Sequence, residues 1–311
     1  MKKTMERRQG SLAITTRRKL ARFALSLLWL ASAPGLARAQ FAFTQLDMPG
    51  SVATYADGNG VHRVVGEFDD AEGVTHGFVW RRGEFTQFDV PGSDGWTSIN
   101  GTNASGDRAG IYSANDRFYG YFWSHGVVTT LDPPDSTFSL ASSVNGKGQV
   151  VGFWRKGTEP RHGYVWHDGV FTPVDVPDAG PRGTWPSGIN DRGQVVGAYF
   201  DQDGKRHGFL LSRGTYTTLD VPGSEDGATF AQGINNGGLI VGFYDKGDGT
   251  DHGFVLSDKG YTTIDVPGSS WTDIYGVNAM GDIVGAFEDE NGVHGFRGTP
   301  AGRLLPDSPE E

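Results

Sequence analysis

Trp185-Pro186-Ser187-Gly188-Ile189-Asn190, Gln194-Val195-Val196-Gly197, His207-Gly208-Phe209 and Tyr216-Thr217-Thr218-Leu219-Asp220-Val221-Pro222-Gly223 stand one after another, and each phrase returns along most of the chain. The glycine that closes Val-Val-Gly falls at Gly66, Gly110, Gly152, Gly197, Gly242 and Gly285, giving spacings of 44, 42, 45, 45 and 43 residues. The glycine of His-Gly-Phe falls at Gly77, Gly120, Gly163, Gly208, Gly253 and Gly295. Six copies of one unit are present, and self-similarity at a fixed period of this length marks a repeat architecture.

Each unit holds four short candidate strands. In the fourth copy they are Thr184–Ile189, Gln194–Phe200, Arg206–Leu211 and Thr215–Val221, rich in β-branched and aromatic residues and bounded by Gly, Asp, Asn or Pro. Asn190-Asp191-Arg192-Gly193 and Asp201-Gln202-Asp203-Gly204 supply hairpin turns, and Val221-Pro222-Gly223-Ser224 has the Pro-Gly order of a type II turn. Four antiparallel strands per period predict an all-β fold, a six-bladed β-propeller in which each sheet packs its apolar face on the next. A β-solenoid is the alternative, but its coils are usually shorter and parallel, whereas these turns are those of hairpins. The strand glycines are expected where backbones come close near the axis.

The ends of the chain predict how the ring closes. Phe43-Thr44-Gln45-Leu46-Asp47-Met48-Pro49-Gly50 is a fourth-strand phrase with no first three strands before it, and His294-Gly295-Phe296 is followed only by a degenerate Arg303-Leu304-Leu305-Pro306-Asp307. The N-terminal strand should therefore complete the last blade and remove two exposed edges. The domains read as an export signal over 1–39, the propeller over 40–299 and a Pro-rich acidic tail over 300–311.

Phe-Thr-x-Leu-Asp-Val-Pro-Gly, Gly-Ile-Asn-x-x-Gly-x-Val-Val-Gly and His-Gly-Phe together resemble the bacterial extracellular repeats named for their His-Ala-Phe (HAF) tripeptide, here with Gly in the middle place. The resemblance covers residues 43–296. It implies export and a propeller-like fold, and it carries no activity and no catalytic residue. The second copy departs most, with Tyr119 in the histidine's place and Arg108-Ala109 in place of the apolar pair.

Basic residues Lys2, Lys3, Arg7, Arg8, Arg17, Arg18 and Lys19, an apolar run from Phe23 to Ala33 and the small-residue exit Ala37-Arg38-Ala39 form the pattern of an export signal. Thr16-Arg17-Arg18-Lys19-Leu20 resembles the twin-arginine motif, cleavage after Ala39 leaves Gln40 first, and the address is the periplasm or the exterior. Beyond this leader the chain carries 18 basic against 36 acidic residues, a net charge of −18. Such a surface repels phosphate backbones and disfavours nucleic acid and anionic membranes, leaving extracellular glycans or proteins, or cations, as partners. No further stretch reaches the roughly 20 apolar residues of a membrane helix, so no membrane insertion of the mature chain is expected. A monomer is expected, and with no cysteine in the sequence stability must come from packing and closure.

A residue needed in every copy is best explained by the blade, whereas a site is normally built from residues that differ between copies. His76, His162, His207, His252 and His294 recur, and neighbouring blades lie about 10 Å apart, far beyond a metal–nitrogen bond of roughly 2 Å. They read as structural. Asp47, Asp89, Asp132, Asp175, Asp220 and Asp265 are assigned to capping their own turns, and Asn59, Asn103, Asn145, Asn190, Asn235 and Asn278 to hairpin turns. Less regular are the aromatics before the first strand's asparagine: Trp96, Phe138 and Trp271 seven residues before it, Trp185 and Phe230 five before it, and Tyr55 nearby. Equal parity puts these rings on one side, gathered at the axis. Exposed, they are a ligand-binding face on which sugar rings stack; buried, they wedge blade against blade. Acidic turns at Asp201, Asp203, Asp245, Asp248 and Asp251 offer oxygen ligands for calcium, although none matches the twelve-residue calcium loop. No other cofactor is implied.

Catalytic residues are unknown. There is no Cys, no Gly-x-Ser-x-Gly and no His-Glu-x-x-His. The reading is an exported binding module for a glycan or protein, with a propeller glycoside hydrolase or polysaccharide lyase as the alternative. Carboxylates about 5 to 9 Å apart beside exposed aromatics would favour the enzyme. His62, His125 and His167 break the symmetry and are where such chemistry would be sought.

Overall fold

The computed structural model describes residues 41–224 and 228–302. The expected export leader with its arginine pair, Gln40 and the tail from 303 lie outside them. Twenty-four strands form six four-stranded antiparallel sheets, and no helix occurs among the described residues. Blade one is β2 (Ala53–Asn59), β3 (Val64–Asp69), β4 (Thr75–Arg81) and β5 (Glu84–Phe88). Blade two is β6 (Thr97–Thr102), β7 (Arg108–Ala114), β8 (Arg117–Ser124) and β9 (Val127–Leu131). Blade three is β10 (Phe138–Val144), β11 (Val150–Arg155), β12 (His162–His167) and β13 (Val170–Pro173). Blade four is β14 (Thr184–Ile189), β15 (Val195–Phe200), β16 (Arg206–Ser212) and β17 (Thr215–Leu219), within two residues of the expected bounds. Blade five is β18 (Thr229–Ile234), β19 (Ile240–Asp245), β20 (Asp251–Ser257) and β21 (Gly260–Ile264). Blade six is β22 (Trp271–Val277), β23 (Ile283–Asp289), β24 (Gly292–Pro300) and, from the other end of the chain, β1 (Phe41–Leu46).

The expected closure is present. β1 pairs antiparallel with β24 in a register running from Phe41 opposite Pro300 to Leu46 opposite Gly295. Leu46 is buried with Ala56, Val64, Phe68 and Phe78 of blade one and Val284 of blade six, so apolar packing crosses the seam as it crosses the other blade boundaries. Hydrophobic surface removed from water between adjacent sheets is the main favourable term, since a lone blade leaves both faces wet.

The first strands form the inner ring: β2, β6, β10, β14 and β18 each touch the next, and β22 returns to β2. Each carries a bulge with one inserted residue, Asp57, Asn100, Ser142, Ser187, Gln232 or Tyr275. The bulge explains the glycines and corrects their expected place. On the second strands, a Cβ at Gly66, Gly110, Gly152, Gly197, Gly242 or Gly285 would lie 1.9–2.1 Å from the carbonyl oxygen two residues before the bulge, within the same sheet. On the third strands, the His-Gly-Phe glycines meet fourth-strand backbone or the next blade; a Cβ on Gly163 would stand 2.2 Å from the Val174 oxygen and 2.5 Å from Cγ of Pro186. The close approach near the axis belongs to another series, Gly58, Gly101, Gly188, Gly233 and Gly276, whose Cα atoms face the neighbouring first strand.

The asparagines do more than turn the chain. In each of Asn103, Asn145, Asn190, Asn235 and Asn278 the carboxamide oxygen accepts backbone N–H groups of its own hairpin. The amide nitrogen donates to the carbonyl of the next blade's corresponding residue at 2.9–3.3 Å, ending at Gly60. Asn59 is a correction. The first hairpin of blade one is one residue shorter, so Gly60 holds the turn position, while Asn59 ends β2 and donates to the Asp282 carbonyl at 2.9 Å. The belt of asparagines marks one end of the ring; blade-to-blade crossovers mark the other.

Candidate functional site

At the crossover end the third strands begin and the fourth strands end, which brings two repeated residue types together. Nδ1 of His76, His162, His207, His252 and His294 hydrogen-bonds Asp89, Asp175, Asp220, Asp265 and Asp47 at 2.8–3.1 Å. These aspartates were expected to cap their own turns. Instead, the N–H that follows the aspartate is taken by a buried threonine of the next first strand, as in Val90 to Thr97, Val176 to Thr184 and Val221 to Thr229, and the carboxylate is left for the histidine. Four histidines reach a second carboxylate through Nε2: His76 to Asp70, His207 to Asp201, His252 to Asp248 and His294 to Asp289, at 3.2–3.4 Å. For His76 and His207, burial pulls the pKa down, but two hydrogen-bonded carboxylates outweigh it and the net shift is upward. Blade two substitutes an arginine for the histidine: Arg117 pairs with Asp132 and lies over Tyr119.

Between blades one and two this geometry opens into a cleft of about 370 Å³ lined by Thr75, His76, Asp89, Pro91, Ser93 and Trp96 among others, with no arginine or lysine in its wall. The volume falls in the ~300–1,000 Å³ range of ligand pockets. A parallel bridge between Thr75 and Trp96 fixes the tryptophan beside the histidine. Strand register places Trp271 at the position of Trp96, so His252, Asp265 and Trp271 repeat the constellation between blades five and six. There the indole N–H donates to Glu288 at 2.9 Å.

The five candidate aromatics therefore divide. Trp96, Trp185 and Trp271 are half-buried, whereas Phe138 and Phe230 keep only 9% and 7% of their surface exposed and wedge between blades. Trp96, Phe118, Phe138, Phe153, Trp185, Phe230, Phe243 and Tyr275 form a run of ring contacts with centroids 5.5–6.4 Å apart across blades two to six. Trp271 stands outside it. Over blades three to five guanidinium groups cover the run: Arg155 lies on Phe138, Arg161 on Phe153 and Trp185, and Arg206 on Phe230 and Phe243.

The acidic turns are engaged within the chain. Asp201 accepts the N–H groups of Asp203 and Lys205, and Asp245 those of Gly247 and Gly249. Asp248 accepts the backbone and hydroxyl of Thr250 as well as His252, and these bonds hold its carboxyl at about 2. Asp251 opens β20 opposite Asp245, and Asp203 is exposed. Among the described residues no three His, Asp or Glu converge to hold a metal ion. His62, His125 and His167 stand in hairpins of three different blades at the asparagine end; His125 bonds Ser124 and His167 the Lys147 carbonyl.

Sequence reasoning missed the inner carboxyl groups. Asp273 occupies in blade six the place of Trp185, with 9% of its surface exposed, and Tyr275 donates to it at 3.1 Å. Burial and the nearby Asp251 push the Asp273 carboxyl pKa well above its ordinary value. Glu67, opposite Tyr55 in blade one, is equally buried. These places have no fixed residue type from copy to copy, so periodicity gives no sign of them.

No protein-family model and no curated protein sequence matches the chain. Among solved structures, the six-bladed β-propeller lectin of Aleuria aurantia is 13% identical with a TM-score of 0.50, covering 86% of this chain and 99% of its own. The lectin SapL1, solved with α-methyl fucoside, is 11% identical with a TM-score of 0.53 over 83% of this chain and 98% of its own. AofleA of Arthrobotrys oligospora is 12% identical with a TM-score of 0.50 over 85% and 84% of the two chains. At these identities the likeness is one of fold, and it makes this chain a six-bladed β-propeller of four-stranded antiparallel blades.

Proposed function

We propose that the protein is an exported glycan-binding propeller, acting as a monomer in the periplasm or outside the cell and belonging to the HAF-type repeats it resembles. The observation that carries the reading is the cleft between blades one and two, where Trp96 stands beside the hydrogen-bonded His76–Asp89 pair. A sugar asks for this combination: an aromatic for its C–H face, and a carboxylate and imidazole for its hydroxyls. The two lectins add support, since two structures of the Aleuria lectin and one of SapL1 are named as complexes with fucosides. A fucoside is therefore the first probe. His252, Asp265 and Trp271 repeat the same residue set at the boundary of blades five and six.

The test is a glycan-array screen of the protein, followed by titration of the best neutral sugar into wild type, W96A and W271A. Loss of binding in W96A supports the cleft; unchanged affinity in both variants removes it. Release of reducing ends from the bound glycan would turn the reading toward a hydrolase, and Asp273, whose carboxyl pKa burial raises, is the acid to replace first, as D273N.

A further inference from the structure

We propose a second binding site of opposite charge preference: the crossover mouth of blades three and four takes a carboxylated sugar, such as a uronic acid unit of a glycan, on Arg155, Arg161 and Arg182. The inference goes beyond the neutral-sugar cleft and does not require it.

Beyond its leader the chain is strongly acidic, yet here three arginines gather. Arg155 ends β11, Arg161 precedes β12 and Arg182 lies in the crossover to blade four. The guanidinium carbon of Arg161 sits 4.2 Å from the Trp185 ring centre, that of Arg182 4.0 Å from Phe200, and that of Arg155 5.3 Å from Phe138. Nη1 of Arg161 donates to the Arg182 backbone carbonyl at 3.5 Å, and the Trp185 and Phe200 rings that the two guanidinium groups cover have centroids 5.8 Å apart. Among the described residues none of the three enters an ion pair, whereas Arg117 and Arg297 do. Burial, then the like charges of Arg155 and Arg182, pull the Arg161 pKa down to about 10, and no carboxylate opposes them.

Like charges held together without a counter-charge repel. Stacking on aromatic faces offsets part of that cost, and a guanidinium held by its face keeps its edge, with N–H donors, for a planar anion; Arg182 is exposed and Arg155 and Arg161 are partly so. That edge matches a carboxylate with two parallel hydrogen bonds. The rings beneath are covered, so a sugar cannot stack on them and must be met by the guanidinium edges. Long-range repulsion from the acidic surface opposes polyanions, while three local cations favour a ligand bringing one or two negative charges. Carboxylated sugars meet both conditions.

The experiment titrates digalacturonate and its methyl ester into wild type, R161Q, R161K, R182Q and W96A. The proposal expects the acid to bind at least tenfold more tightly than the ester, R161Q and R182Q to lose at least tenfold, R161K to lose less than R161Q, W96A to keep the affinity, and added salt to weaken it. Arg182 is exposed and lies outside every strand, so R182Q tests the site even if R161Q unfolds. Equal binding of acid and ester, no response to R182Q and R161Q, or no binding of the acid would overturn the proposal. Loss of the acid in W96A with retention in both arginine variants would also overturn it, while leaving the neutral-sugar cleft standing.

Discussion

The cleft between blades one and two and the mouth of blades three and four share one backbone plan but meet solvent differently. In both, a third-strand histidine holds the aspartate before the crossover turn. At the first boundary the crossover leaves space beside Trp96, with an imidazole and a carboxylate in its wall. At the other, Arg161 bridges to Gly183 by a parallel β-bridge and its guanidinium fills the place over the rings. Two exchanges separate them, Thr75 against Arg161 at the position before the histidine and Trp96 against Gly183 at its bridge partner, and with them an open polar slot gives way to a cationic lid. A repeat fold can thus vary its surface at paired positions while the core of each blade is held constant.

Packing at the two boundaries gives the largest expected difference. A Cβ on Gly163 would meet Val174 and Pro186 at 2.2 and 2.5 Å, whereas one on Gly77 would meet Phe88 and Ile99 at 2.8 and 3.0 Å. G163A should cost about 3 kcal/mol in denaturant unfolding and G77A nearer ~1 kcal/mol, in line with overpacking penalties. Equal costs would mean that the boundaries are equally tight. Next in size, W96A should weaken neutral-sugar binding by ~10-fold, or about 1.4 kcal/mol, while W185A, whose ring already lies under Arg161, leaves it unchanged. The reverse order would move the site.

A pH series sharpens the first boundary further. His76 has its folded pKa raised above the unfolded value of about 6.5, so the stability it adds is fully present below that pH and is lost as pH rises through the folded pKa. Thermal melts at about pH 6 and pH 8 should show a larger fall in Tm for wild type than for H76Q, and identical falls would deny the ion pair a role. Smallest is the turn itself. Gly92 takes the left-handed position of the first crossover turn with φ +86°, but in the third the same position belongs to Asp178 at φ +60°. D178G should stabilise the protein by about 0.5 kcal/mol, because aspartate tolerates that region less well than glycine.

What could be read from the sequence follows from how often each residue is needed. Gly66 and Gly77 recur because backbone atoms approach every blade alike, so period, blade number and strand bounds were legible. The unpartnered phrase Phe43–Leu46 announced the closure. The histidine–aspartate pair was legible in principle, since His76 and Asp89, His162 and Asp175, His207 and Asp220, and His252 and Asp265 all stand 13 residues apart, but turn chemistry offered a nearer explanation. Asn59 misled because a hairpin shortened by one residue shifts a repeat without altering its letters. Arg155, Arg161 and Arg182 share no register, and Asp273 stands where other copies carry a ring, a leucine or a serine. Only folding brings such residues to one mouth, and no count along the chain finds them.

The pairing of Phe41–Leu46 with Gly295–Pro300 gives the molecule a late latch. A chain emerging from its N-terminus holds its opening strand without a partner until the final one appears, so the edge of that strand must stay soluble throughout synthesis. Closing so long a loop adds little entropy cost, because that cost grows only with the logarithm of length. The delay is one of timing: five blades can assemble in sequence, but the toroid becomes a single cooperative object at its last strand.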